Sequence, residues 1–289
     1  MPANLVKGKL LDGGVALGHA VFEFGTPGIA RILQAAGADF VTFDMEHAVF
    51  GIDSIRSLIA YTRGTTVTPF VRVPTTRYEY IAGVLDAGAQ GILVPLVEDA
   101  EQVQRIVDAA RYEPRGHRGI AYGIAHDDFV QGDPIAKMQE ANDEILLIAM
   151  IESAKGLNNL EEIASHPEID VIWIGHYDLA ASLGVPGNIT HPRMIDAFDR
   201  LVDAAQRHGK LAGRGVGDVD TALTWIRRGF RILTYSRDIL MLQSNLARGL
   251  ATIRAHTAES AAESGDAHGA GEAVQCTAVA ADGQSAQRL

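Results

Sequence analysis

The 289-residue chain has a single cysteine, Cys276, so it cannot close an internal disulfide, and no cysteine cluster is present to hold zinc or an iron–sulfur centre. Lysines are scarce: Lys7, Lys9, Lys137, Lys155 and Lys210 are the whole set. No run of Lys and Arg occurs, and 36 acidic against 25 basic residues give a net charge of −11 and a pI near 5.3, which excludes a nucleic-acid binder as the default. Apolar runs stay short of the roughly 18 residues of a membrane span. The start, Met1-Pro2-Ala3-Asn4, leads into no signal segment, so the expected location is the cytoplasm. Motifs for nucleophiles and phosphates are missing as well: there is no Gly-x-Ser-x-Gly elbow and no Gly-Lys-Ser/Thr loop.

What is present is a rhythm. Strand-like runs fall at 14–23, 40–46, 69–73, 91–97, 145–152, 170–177, 211–216 and 230–236. Most are nearly continuous in Val, Ile, Leu and Phe, the pattern of strands covered on both faces. Amphipathic helices lie between them. Val103, Ile106, Val107 and Ala110 form one apolar stripe; Ile195, Phe198, Val202 and Ala205 form another, with Thr190 as its expected cap and Pro192 in its first turn. Gly37, Gly64, Gly88, Gly209 and Gly229 each follow a helix and precede a strand, where a left-handed residue turns the chain back to the sheet. Eight such units fit a (β/α)8 TIM barrel, expected over residues 1–256. A dinucleotide-binding sheet would want a glycine fingerprint after its first strand, and Leu17-Gly18-His19-Ala20 is not one.

Two segments break the rhythm. Residues 113–134 form a long polar stretch after the fourth barrel helix, either functional or a plain surface excursion. Residues 257–289 are rich in Ala, Gly and Ser and lack periodicity, so they are expected to be a disordered tail, with Cys276 inside it and without a catalytic role. Before it, a helix expected over about 238–255 carries Leu242, Leu246, Leu250 and Ile253 in one stripe, suited to barrel packing or to a neighbouring subunit.

Catalytic groups of a barrel come from the C-terminal ends of its strands. Glu152 ends the fifth run and Asp178 directly follows the sixth, 26 residues on, which places them on neighbouring strands about 4.8 Å from one another. Two carboxylates at one level repel unless a proton or cation sits between them, and an oxygen pair with open positions suits Mg²⁺ or Mn²⁺. The competing reading pairs Glu152 with a nearby base and gives Asp178 to capping. Arg72 follows an apolar strand, where a guanidinium can clasp a substrate carboxylate or simply pair with Asp44 or Glu46. His47 beside Asp44 offers a base oriented by a carboxylate. His19, His117, His126 and His176 make no ligand set by spacing, and His166, His191 and His208 sit at helix ends. A Schiff base needs a lysine at the mouth, and only Lys155 follows a strand closely.

Four motifs resemble the HpcH/HpaI aldolase family, the metal-dependent (class II) pyruvate aldolases: Asp44-x-Glu46-His47, Val71-Arg72-Val73-Pro74, the Ile151-Glu152 strand end, and Gly175-x-x-Asp178-Leu179 followed by Ser182-x-Gly184. Gly91-Ile92-Leu93-Val94-Pro95 and Arg115-Gly116-x-Arg118-Gly119 add to the likeness, which covers roughly 10–255. The resemblance implies that Glu152 and Asp178 bind a divalent ion, Mg²⁺ first with Mn²⁺, Co²⁺ or Zn²⁺ as alternatives. It implies that Arg72 holds the pyruvyl group, that His47, set by Asp44, is the base, and that Gly175, His176 and Tyr177 receive the substrate carboxylate. It also implies a hexamer, a trimer of dimers with the last helix exchanged. The expected reaction is cleavage of a 4-hydroxy-2-oxo acid to pyruvate and an aldehyde. Relatives commonly have Gln where this chain has Met150, and Pro with a small residue where it has His176 and Tyr177, so the donor pocket differs in shape and polarity. An oxaloacetate decarboxylase, an enolate-condensing synthase, a CoA-ester lyase of the citrate-lyase-β type and a non-catalytic ligand-binding barrel are the alternatives.

Overall fold

The computed structural model describes residues 1–267, with side chains through residue 258. Eight strands, β1 (Ala16–Val21), β2 (Phe40–Asp44), β3 (Thr68–Arg72), β4 (Gly91–Val94), β5 (Leu146–Ile151), β6 (Val171–Ile174), β7 (Leu211–Val216) and β8 (Phe230–Arg237), pair in parallel and in chain order into a closed barrel. The helices are α1 (Leu5–Leu11), α2 (Ile29–Ala35), α3 (Ile52–Thr62), α4 (Tyr78–Asp86), α5 (Ala100–Ala110), α6 (Pro134–Glu144), α7 (Ala154–Asn158), α8 (Leu160–Ser165), α9 (His176–Ser182), α10 (Pro192–Arg207), α11 (Val219–Arg227) and α12 (Asp238–Ala267). Every expected strand is present, and the fold is a TIM barrel. All five helix-ending glycines have positive φ, between 65° and 109°.

The unbroken apolar runs are explained by two cores. Phe40, Phe70, Ile148, Met150, Trp173 and Ile232 fill the barrel interior, above Val6 and Leu10 of α1. The alternate residues, such as Val41, Val71, Leu147 and Ile172, face the helices. β2, β4, β5 and β6 are therefore dry on both sides, with every residue buried. The interior rings need space from the neighbouring strand: a Cβ on Gly213 would stand 2.3 Å from Trp173.

Three local expectations change. The sixth strand stops at Ile174 rather than Tyr177, because Gly175 turns the chain and His176 opens α9, so Asp178 stands in the first turn of a helix. The cap of α10 is His191, whose ring accepts from the Arg193 N–H, while the Thr190 hydroxyl donates to Asn188. The last helix reaches Ala267, well past 255, since the Ala- and Glu-containing stretch 257–267 favours helix and holds no proline. The rest of the expected tail, Cys276 included, lies outside the described residues. The chain divides into a barrel unit, Met1–Met241, and a second unit from Leu242 onward, whose described part is helix with Leu242, Leu246, Leu250 and Ile253 exposed.

The stretch 113–134 is held in place. Arg118 pairs with Asp86 of α4 at 2.6 Å, Lys137 of α6 reaches Asp127 at 2.7 Å, and Asp133 caps α6.

Candidate active site

The C-terminal ends of the strands open on a cleft of about 250 Å³. Asp44, His47, Arg72, Glu152 and Asp178 all line it, as do Gly175, His176 and Tyr177, so the strand-end residues named above converge on one place. Lys155 does not; its ammonium pairs with Asp99 at 2.8 Å and Glu98 at 3.3 Å, and no lysine lines the cleft among the described residues.

Asp44 is the pivot. It ends β2 directly beside Arg72 of β3 and is 1% exposed. Its Oδ2 accepts from Arg72 Nε and Nη2, and its Oδ1 accepts from the backbone N–H groups of Glu46 and His47 at 2.8 and 2.7 Å. The expected arrangement, Asp44 orienting the His47 imidazole, is therefore corrected: the carboxylate holds the backbone of His47, not its ring. The imidazole is more than half exposed and lies 3.8 Å from Glu46 Oε2. Arg72 is at once in the cleft and paired, because Glu46 Oε2 also sits 3.0 Å from its Nη1. That contact is out of line for a hydrogen bond, so Nη1 keeps N–H groups for another oxygen. Burial raises the Glu46 carboxyl above its usual range, opposed first by Arg72. Sequence reasoning had treated Glu46 only as a partner for Arg72, although it is the centre of the Asp-x-Glu-His motif.

Glu152 follows β5 and is 4% exposed. Its Oε1 accepts from the Leu96 N–H at 2.7 Å, and Leu96 takes a left-handed φ of 51° in the loop after β4. Burial pushes the Glu152 carboxyl up to about 7; the Leu96 N–H opposes this, and the nearby Glu46 and Asp178 carboxylates add to it. The site thus gathers Glu46, Glu152 and Asp178 close together, and no basic side chain pairs directly with the Glu152 carboxylate among the described residues. Among the described residues no three His, Cys, Asp or Glu form a closed cage. Two carboxylates with open positions fit a hard divalent ion that also takes oxygen ligands from a substrate.

Gly175 makes room for Glu152. Ile151 and Ile174 are in register, and a Cβ on Gly175 would lie 2.3 Å from Glu152 Oε2 and 2.6 Å from its Cβ. The second contact is too close to the backbone to be relieved by rotation. Gly175→Ala is expected to displace the carboxylate and lower kcat/KM about a hundredfold, since a misplacement of about 1 Å costs that much. Steady-state kinetics on a variant with unchanged circular dichroism checks this.

The His176 and Tyr177 rings meet at a tilt of 42° with centroids 4.4 Å apart. Burial, with help from the positive Arg214, pushes its pKa down to about 4, so the ring is neutral near pH 7. Arg214, in mid β7, was not singled out from the sequence. It is 1% exposed, with its guanidinium 4.5 Å from both the Phe198 and Trp225 ring centres. A charged residue inside an apolar strand was the available signal. Arg237, at the end of β8, also lines the cleft and was equally overlooked.

Residues 23–242 match the family model described as HpcH/HpaI aldolase/citrate lyase. A hydroxypyruvate/pyruvate aldolase of Roseovarius nubinhibens is 34% identical over 257 residues, covering 88% of this chain and 98% of its own. A 5-keto-4-deoxy-D-glucarate aldolase of Klebsiella pneumoniae is 34% identical over 183 residues, covering 63% of this chain and 71% of its own. The crystal structure of an HpcH/HpaI aldolase from Desulfitobacterium hafniense superposes with a TM-score of 0.84 at 31% identity, covering 87% of this chain and 97% of that one. The barrel, the convergent strand-end residues and these matches agree: the chain belongs to the HpcH/HpaI aldolase/citrate lyase family.

Proposed function

We propose that this enzyme is a divalent-metal-dependent pyruvate aldolase, cleaving a 4-hydroxy-2-oxo acid to pyruvate and an aldehyde. The observation that carries this reading is the convergence of two carboxylates, Glu152 and Asp178, with the Arg72 guanidinium in one cleft. Glu152 and Asp178 would hold the ion, Mg²⁺ first, which when bound supplies Lewis-acid stabilisation of negative charge on the 2-oxo oxygen.

The chain's own residues do the rest. Arg72, fixed by Asp44, directs its remaining N–H groups at the oxygen where enolate charge develops, and it needs no reorganisation when that happens. His47 takes the proton from the 4-hydroxyl as the bond between C3 and C4 breaks; the electron pair passes to the enolate, and a proton later returns to C3 to give pyruvate. His47 lines the cleft with its imidazole more than half exposed, within reach of a substrate hydroxyl at the mouth. Leu93, Met150 and Trp173 form an apolar floor beneath these groups, which excludes water from the enolate. Gly175, His176 and Tyr177 would border the donor carboxylate. The exposed leucine stripe of α12 supports a homo-oligomer as the working assembly.

Oxaloacetate decarboxylation would pass through the same enolate, and the products distinguish the two reactions. The direct test is pyruvate in D₂O with chelator-treated protein, followed by NMR. Methyl protons should exchange only after Mg²⁺ or Mn²⁺ is added. Exchange at equal rate without metal would overturn metal dependence, and no exchange under either condition would overturn pyruvate as the donor.

A further inference from the structure

The Glu152 carboxylate makes one hydrogen bond with a described residue, the 2.7 Å contact to the Leu96 N–H. Leu96 gives it from an unfavourable conformation. Its φ of 51° is left-handed, which costs a residue with a Cβ free energy. Its side chain is 51% exposed, so burial of the leucine offsets little of that cost. Something else must hold the backbone here.

The holding groups lie on both sides of Leu96. Pro95, before it, has a fixed φ of its own. After it, the Val97 N–H donates to the Met150 carbonyl at 3.0 Å, which extends the β4–β5 pairing beyond Val94 and Ala149. Glu98 then fastens the loop to the stretch that follows Glu152. Its Oε1 accepts from the Ser153 hydroxyl at 2.6 Å, and its carbonyl accepts from Asn159 Nδ2 at 2.8 Å. Ser153 caps α7 by accepting from the Gly156 N–H, so its one proton is left for Glu98. Lys155 Nζ lies 3.3 Å from Glu98 Oε2, but it is more than half exposed and shared with Asp99, so it contributes little. The two loops also touch directly: a Cβ on Gly156 would stand 2.6 Å from the Val97 carbonyl oxygen.

We infer that Glu98 is a positioning residue of the active site, clasping the stretch after Glu152 so that Leu96 stays left-handed and keeps its N–H on the Glu152 carboxylate. Without the clasp, Leu96 relaxes toward an ordinary φ, the peptide before it turns, and the N–H leaves Glu152. The consequence for ion binding rests on the aldolase reading, in which Glu152 is a ligand. Groups that orient a ligand from behind set metal affinity about 10- to 100-fold. Glu98 touches neither substrate nor ion. It acts through the Leu96 backbone.

The test measures Mn²⁺ binding to chelator-treated full-length protein by calorimetry. Glu98→Ala should bind about tenfold more weakly with unchanged circular dichroism, and Glu98→Gln, whose amide oxygen still accepts from Ser153, should recover most of the affinity. The decisive variant is Glu98→Ala combined with Leu96→Gly. Glycine takes positive φ without a steric penalty, so the double variant needs no clasp and should bind more tightly than Glu98→Ala alone. A merely structural role for Glu98 would not give that rescue. Native-like affinity in Glu98→Ala, or a double variant no tighter than it, overturns the assignment. Hydrogen exchange of the Leu96 amide reads the clasp without any ion: it should quicken about tenfold in Glu98→Ala relative to the amides of β5, and an unchanged ratio overturns the proposal. Failure of the ion reading would show separately, as native protein that takes up no Mn²⁺; the exchange measurement then decides the clasp by itself.

Discussion

Asp178→Asn and Glu152→Gln enzymes are each expected to lose at least about a thousandfold in kcat, because under the proposed function each change removes one of two charged oxygen ligands and with it the largest stabilisation of the enolate. Both changes keep shape and volume, so folding should survive. Glu152→Gln also removes a carboxyl that burial holds near 7 and that the Glu46 and Asp178 charges push the same way. The pH dependence of ion binding follows from that raised value. Below about 7 the metal-free carboxyl holds its proton, and an entering cation must displace it. Affinity for Mn²⁺ should therefore rise with pH up to about 7 and level off above, by about tenfold per unit on the rising limb. Titration calorimetry between pH 5.5 and 8 measures this directly. A flat profile would mean that Glu152 is not a ligand. A loss smaller than tenfold for both variants would sink the ion site.

Arg72→Lys is expected to lower kcat/KM by about two orders of magnitude while leaving the fold intact. An ammonium keeps the charge beside Asp44 but cannot clasp its Oδ2 with two N–H groups and present others to a substrate oxygen in one plane. Arg72→Met is a different experiment. It leaves Asp44, 1% exposed, without its counter-charge, and breaking such a buried pair costs about 3–5 kcal/mol. A kinetic defect in the methionine variant would thus mix lost catalysis with lost stability, and a fall in Tm should accompany it. The lysine variant separates the two. If it retained more than a tenth of native kcat/KM with pyruvate as product, Arg72 would be a structural partner of Asp44 and nothing more.

The barrel itself was written locally. Continuous apolar runs, helix stripes and glycines that need positive φ each report their own few residues, and eight repeats of that pattern leave few ways to close a sheet. Strand ends carrying Asp44, Arg72 and Glu152 were legible for the same reason, since a polar residue ending a dry strand can only be at a rim. The limits of that logic show at particular residues. His47 and Asp44 are close in sequence, so a carboxylate-oriented imidazole was the natural reading; the turn after β2 instead directs the Asp44 oxygens to backbone N–H groups and Arg72. Asp178 was placed on a strand, and Gly175 moves it to a helix.

What the sequence by itself determined, then, was the repeat, the barrel and the set of groups able to do enolate chemistry. Only the tertiary structure decided which of them share a partner, how far burial lifts Glu152, and which cations meet at one ring. Those properties depend on distances between strands distant in sequence. Arg237 lies 165 residues from Arg72, and only Phe22, from a third strand end, brings the two guanidinium groups to one ring. Local propensity carries no record of such a meeting, because it arises from closure of the barrel.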